Sequence, residues 1–137
     1  MAEEPVARVL VSVRVLLVED QDRDREIFAS VLRLAGAEVT AVSSGRQALR
    51  ALKESPPDVL VSDVIMPDGD GLWLIREVRA LESGGDVPAI ALTPLVRNAD
   101  RRRILDAGYT AHLPKPVPIQ ELVQTVYRLA HRNAAGV

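Results

Sequence analysis

Five polar side chains stand where runs of apolar sequence end. Glu19 and Asp20 follow VRVLLV (13–18), Asp63 follows DVLVS (58–62), Thr93 closes VPAIALT (87–93), and Lys115 lies just past TAHL (110–113). The stretch 61–71, VSDVIMPDGDG, adds Asp68 and Asp70. Carboxylates drawn into one crevice repel one another, and a hard divalent cation is the natural remedy. Mg2+ suits such a set because it accepts one or two carboxylates, keeps waters and leaves room for a phosphate. A lysine and a threonine opposite the cation are then placed to hold the remaining phosphoryl oxygens. Whether these residues meet depends on the elements that carry them.

Each strand-length apolar run is followed by a segment of helical period. After VRVLLV, residues 22–35 place Ile27, Val31 and Leu34 at helical spacing, and Gly36 stops that helix. EVTAV (38–42) reads as the second strand, and Ser44 with Gln47 as a capping box opening a helix through Leu49 and Leu52. SPP (55–57) breaks it before the third strand. A helix with Leu72, Ile75, Val78 and Leu81 on one face follows, closed by SGG, and then comes strand four. Residues 97–107 are helical up to Gly108; after the short fifth strand, 118–131 forms a last helix with Ile119, Leu122, Val126 and Leu129 inward. Five βα units in series predict an α/β domain, a parallel sheet covered by helices on both faces. In such sheets ligands bind beyond the carboxyl ends of the strands, where all five polar residues lie. Residues 1–12 read as an N-terminal appendage or linker, 13–131 as the domain and 132–137 as a tail. VLVSV (9–13) is also compatible with a longer first strand.

Composition narrows the function. The 137 residues are 47% apolar and 26% charged, as expected of a single globular domain. Seventeen Lys/Arg against nineteen Asp/Glu offer no broad basic surface for nucleic acid. Without cysteine there is neither a disulfide framework nor a thiolate metal site. The longest apolar stretch, Val9–Val18, is broken by Ser12 and Arg14 and is too short to span a bilayer. The opening MAEEPVAR is acidic where a signal peptide would be basic, so a cytoplasmic location is the default.

Taken in order, the pair ED (19–20), SDVIMPDGDG (62–71), ALT (91–93) and KP (115–116) resemble the receiver domain of two-component response regulators, over 13–131. That resemblance implies a flavodoxin-like, doubly wound five-stranded sheet in the order 2-1-3-4-5. It implies that Asp63 accepts a phosphoryl group from a phosphohistidine. Asp20, Asp63 and the backbone carbonyl of Ile65 would ligate Mg2+, with Glu19 acting mostly through water. Lys115 would pair with the phosphoryl group, and Thr93 would swing to bond it and bias a two-state surface. His112 occupies the family's switching position, and Pro116 suggests a cis Lys115–Pro116 bond. Asp68 and Asp70 are then loop residues, Asp70 an N-cap candidate. The implied partner is a histidine kinase or a histidine phosphotransfer domain, with no nucleic-acid or membrane contact by this domain and room for a weak homodimer. HLPKPV (112–117) resembles receivers fused to hybrid histidine kinases. The resulting molecule is a phosphorylation-controlled switch rather than a turnover enzyme.

Other readings compete for the same residues. Aligned from Met66, MPDGDGLWLIRE places Asp68, Asp70, Gly71 and Glu77 at EF-hand positions, but Met66 cannot ligate calcium at the first of them. VLLVEDQDRD resembles the nucleophile motif of haloacid-dehalogenase-type phosphatases, with Asp20 as nucleophile and Asp22 as acid, yet only Glu121 follows the lysine where that family needs an acidic motif. A pseudo-receiver, which keeps the fold and signals by docking, is the rival from the binding class. Its support is Pro94, which has no N–H where receivers usually offer an amide to the phosphoryl group. His112 likewise stands where the family usually has Tyr or Phe. Ile65 and Leu95, at the pocket mouth, are apolar and cannot orient an attacking water, which predicts a long-lived phosphorylated state. Arg101–Arg103 reads as a solvated helix face or a partner surface, and His112 and His131 are too isolated for a metal site.

Overall fold

The computed structural model describes residues 7–66, 70–94 and 97–132. Five strands, β1 (Arg14–Val18), β2 (Glu38–Val42), β3 (Val59–Asp63), β4 (Ala89–Thr93) and β5 (Ala111–Pro114), alternate with five helices. The helices are α1 (Asp22–Leu34), α2 (Gly45–Glu54), α3 (Gly71–Arg79), α4 (Asn98–Ala107) and α5 (Ile119–Ala130). All pairings are parallel and the spatial order is β2-β1-β3-β4-β5. Every residue of β3 and β4 is buried, because helices cover both faces of the central strands.

Alternation along the strands divides the core in two. Val15, Leu17, Val59, Val61, Ile90 and Leu92 pack under α1 and α5. Leu16, Val18, Leu60, Ala89 and Ala91 face α2, α3 and α4. Ser44 caps α2 by accepting from the Gln47 amide, while Gln47 Oε1 accepts from the Ser43 amide, one residue earlier than a standard capping box. Asp70 caps α3, accepting from the Trp73 amide at 2.8 Å.

Several sequence expectations need correction. Ile27 and Leu34 lie at helical spacing with Val31, yet both are exposed; α1 buries Ala29, Val31 and Leu32 instead. Ile119 is exposed at the start of α5, whereas Leu122, Val126 and Leu129 point inward. In both helices the core takes a narrower stripe than the apolar residues mark out. α3 ends at Arg79, so Leu81 lies beyond it, half-buried. Strand four starts at Ala89 rather than Val87, since Pro88 has no amide for the ladder. VLVSV does not lengthen β1: Ser12 takes a positive φ of 71°, turning the chain so that Leu10 inserts, fully buried, into the core beneath α1. The Leu10 amide donates to the Ala35 carbonyl at 2.8 Å. Gly36 follows with φ 103°, and a Cβ there would fall 2.8 Å from a Val11 methyl, so the α1–β2 turn needs glycine on two counts.

Candidate functional site

The ladder register brings the polar residues to one edge. Val18 pairs with Ser62, which sets Glu19 level with Asp63. Asp63 pairs with Leu92, so Thr93 stands one residue further out, and Thr93 pairs with Pro114, which delivers Lys115. The Lys115 amide donates to the Thr93 carbonyl at 2.9 Å, and the Lys115–Pro116 bond is cis. Glu19, Asp63 and Thr93 are all buried, and Asp20 is half-buried.

Lys115 Nζ approaches Asp63 Oδ1 to 2.5 Å and Glu19 Oε2 to 3.3 Å. One oxygen from each of Glu19, Asp20 and Asp63 lies within 4.8 Å of the others. Burial pushes the Glu19 carboxyl up to about 8, and Asp63 adds to the rise by hydrogen bond and charge, against the lowering pull of Lys115. For Lys115, burial alone would lower the ammonium; the hydrogen bond and charge of Asp63, with the charge of Glu19, overcome this and hold it above its ordinary value. Glu19 Oε1 is buried and has no hydrogen-bond partner among the described residues. An orphaned carboxylate oxygen beside two further carboxylates suits a hard cation, so the donor set fits Mg2+.

Of the residues picked from the sequence, Glu19, Asp20, Asp63, Thr93 and Lys115 meet here. Ile65 lies two residues beyond Asp63, exposed, and Pro94 is exposed just past β4. His112 is half-buried in β5, paired with Ala91, two residues back from Thr93 along β4. Asp68 and Leu95 fall outside the described residues. Asp22, the acid of the phosphatase reading, is turned to Arg25 at 2.6 Å with its side chain largely in solvent. Arg101, Arg102 and Arg103 are exposed along α4.

Sequence reasoning missed the groups behind the carboxylates. Arg25 reaches back from α1 to donate to the Glu19 carbonyl at 3.0 Å, bracing the β1–α1 turn. Ser62 Oγ donates to the Asp63 carbonyl, and the buried Tyr109 hydroxyl donates to the Gly71 carbonyl, both at 2.8 Å. Nothing in the spacing of Tyr109 or Ser62 signals these contacts, because both residues read as ordinary apolar-run and loop-end positions.

Residues 15–127 match the response regulator receiver domain. The chain belongs to that family. A response regulator MprA of Mycolicibacterium vanbaalenii is 37% identical over 121 residues, 88% of this receiver but 52% of the relative, so the chain spans about half of that protein. An uncharacterized protein of Leptolyngbya boryana is 40% identical over 87% of this chain and 91% of its own length. Among solved structures, a putative response regulator from Chloroflexus aurantiacus superposes with a TM-score of 0.83 at 34% identity, covering 88% of this chain and 98% of that one. The receiver domain of a sensor histidine kinase from Pseudomonas aeruginosa, which has a magnesium ion coordinated in its active site cleft, gives 0.80 at 36% identity, covering 86% and 97%. Receiver domains bind Mg2+, act with histidine kinases or phosphotransfer partners, and are phosphorylation-controlled switches rather than classical enzymes. Among the described residues, no helix is long and apolar enough to cross a membrane.

Proposed function

We propose that this receiver takes a phosphoryl group from a phosphohistidine onto Asp63, with Mg2+ held by Asp20, Asp63 and the Ile65 carbonyl and steadied by Glu19. The observation that carries the reading is the Lys115 ammonium, 2.5 Å from Asp63 Oδ1 and facing a cluster of carboxylates. In the transfer, an Asp63 oxygen attacks phosphorus and the P–N bond of the donor imidazole breaks. The imidazole leaves with the electron pair and takes a proton from solvent. Bound Mg2+ supplies positive charge to the phosphoryl oxygens. Lys115 exchanges its Asp63 contact for the phosphoryl group, and Thr93 bonds the same group from β4. That movement is passed to the β5 strand carrying His112, whose imidazole takes the switching place. The donor is a histidine kinase or phosphotransfer domain, at the cytoplasmic side, with no nucleic acid or membrane engaged by this domain. The HLPKPV ending favours the receiver of a hybrid kinase.

The test is intact mass after incubation with acetyl phosphate, with and without Mg2+, for the native chain and Asp63→Asn. A Mg2+-dependent gain of one phosphoryl group, absent in the variant, is expected. A gain that survives Asp63→Asn refutes the assignment. The second reading, a docking module without phosphorylation, is favoured by Pro94 alone; it predicts no gain from acetyl phosphate or from any phosphohistidine donor.

A further inference from the structure

Two adjacent residues of the α4–β5 turn grip α3 near its two ends. At the C-terminal end, the Arg79 guanidinium donates to the Gly108 carbonyl from Nε at 2.9 Å and from Nη2 at 2.7 Å. The same guanidinium reaches the Gly85 and Val87 carbonyls ahead of β4 through Nη1, at 2.9 and 2.6 Å. At the N-terminal end, the Tyr109 side chain runs inside the core to place its hydroxyl on the Gly71 carbonyl.

Gly71 is the residue on which Asp63 rests. Its amide donates to the Val64 carbonyl at 2.8 Å, and a Cβ on it would stand 2.3 Å from the Asp63 carbonyl oxygen, 2.7 Å from Val64 Cα and 2.9 Å from the Tyr109 hydroxyl. The backbone of β3 therefore passes against Gly71 with no room for a side chain. The Ser62 hydroxyl donates to the same Asp63 carbonyl and lies beside the Tyr109 hydroxyl. The Asp63 carbonyl, Gly71, Ser62 and Tyr109 thus form one buried polar knot directly behind the carboxylate cluster. A satisfied buried network of this kind holds a backbone in one arrangement, and a metal site loses affinity when the groups that orient its ligands are removed.

We infer that the Tyr109 hydroxyl is a positioning group for the phosphoryl and metal site. It fixes the start of α3, and through Gly71 the end of β3 and the turn that carries Ile65, relative to the α4–β5 turn. The inference rests on the proposed role of Asp63, and its readout is chosen to be separable from that role.

Tyr109→Phe keeps the ring in the core and deletes the one bond to Gly71. Mg2+ is titrated into both proteins far below their melting temperatures, with Trp73 fluorescence as the signal, since Trp73 lies in the first turn of α3. The Mg2+ dissociation constant is expected to rise about three- to tenfold, and phosphorylation at saturating Mg2+ to slow. Leu10→Ala, destabilised on the opposite side of the sheet, serves as the control and should leave Mg2+ affinity unchanged. If Tyr109→Phe melts lower but binds Mg2+ and takes the phosphoryl group as the native chain does, the hydroxyl is only structural and the inference falls. If the native chain binds Mg2+ yet gains no phosphoryl group on Asp63, the acceptor assignment falls while the affinity comparison still decides the role of Tyr109.

Discussion

The Lys115 ammonium lies 2.5 Å from Asp63 and reaches Glu19 at 3.3 Å, so one cation faces two buried carboxylates. With Glu19 ionised, three carboxylates against one ammonium leave a charge of −2, which a divalent cation balances. Removing the ammonium by Lys115→Met leaves those carboxylates facing each other. The melting temperature in EDTA should fall, by the equivalent of about 1–3 kcal/mol once partial exposure of the lysine is allowed for. Saturating Mg2+ should recover much of the loss, while phosphorylation stays impaired. A variant that melts as the native protein does in EDTA would show that protonation of Glu19 already relieves the cluster.

Mg2+ itself should stabilise the fold by mass action, about 2.7 kcal/mol at one hundred times its dissociation constant. The increment is read as the difference between melting curves in Mg2+ and in EDTA. Asp20→Asn and Asp63→Asn should each shrink it, and Asp22→Asn, whose largely exposed carboxylate pairs with Arg25, should not. Equal shrinkage in all three would mean that surface charge, not the cluster, binds the ion.

Pro94 follows Thr93, the last residue of β4, at the strand end that carries the site, and it has no amide to donate. Pro94→Ala restores one donor aimed at an anion, a bond worth about 1.5–3 kcal/mol. Beryllofluoride, which mimics the bound phosphoryl group, should then bind the Mg2+ form at least tenfold more tightly by Trp73 fluorescence. Unchanged affinity would show that this position does not meet the phosphoryl oxygens.

Ile65 is 55% exposed two residues beyond Asp63. An apolar side chain there offers an incoming water no hydrogen bond, so the acyl phosphate should persist. Ile65→Asn should shorten its half-life several-fold, followed by loss of the phosphoryl mass over time after the donor is removed. An unaltered half-life would place control of hydrolysis elsewhere.

The site was legible in the sequence because chemistry and strand ends coincide. Glu19, Asp20, Asp63, Thr93 and Lys115 each follow or close an apolar run, and parallel strands carry such residues to one edge. Strand order was reached only through the family resemblance, since alternating βα units do not by themselves say which strands are neighbours. What escaped were groups whose role depends on distance across the fold. Tyr109 and Gly71 are separated by thirty-eight positions, and only the packing of α3 against the α4–β5 turn joins them. Helix faces were misjudged for a simpler reason. Ile27, Leu34 and Ile119 share helical spacing with buried residues yet fall outside the stripe that α1 and α5 bury, and they stay exposed.

The amino-terminal segment makes the last case. Residues 1–12 read as an appendage or linker, and within them Leu10 is fully buried in the same core cluster as Val13, Ala35 and Ala37, with its amide donating to the Ala35 carbonyl. A leucine so placed plugs the end of the core between α1 and β2, and truncating it removes buried methyl groups and leaves a cavity. Leu10→Ala should cost about 2–5 kcal/mol, toward the lower end if Val9 or Val11, both exposed, swings in to fill the space. Gly36→Ala should destabilise as well, through its positive φ and its collision with Val11. Urea unfolding measures both, and because Leu10 lies at the edge of the sheet opposite the carboxylates, Mg2+ affinity should be untouched. A Leu10→Ala protein as stable as the native chain would show that the buried Leu10 side chain adds nothing to the stability of the domain.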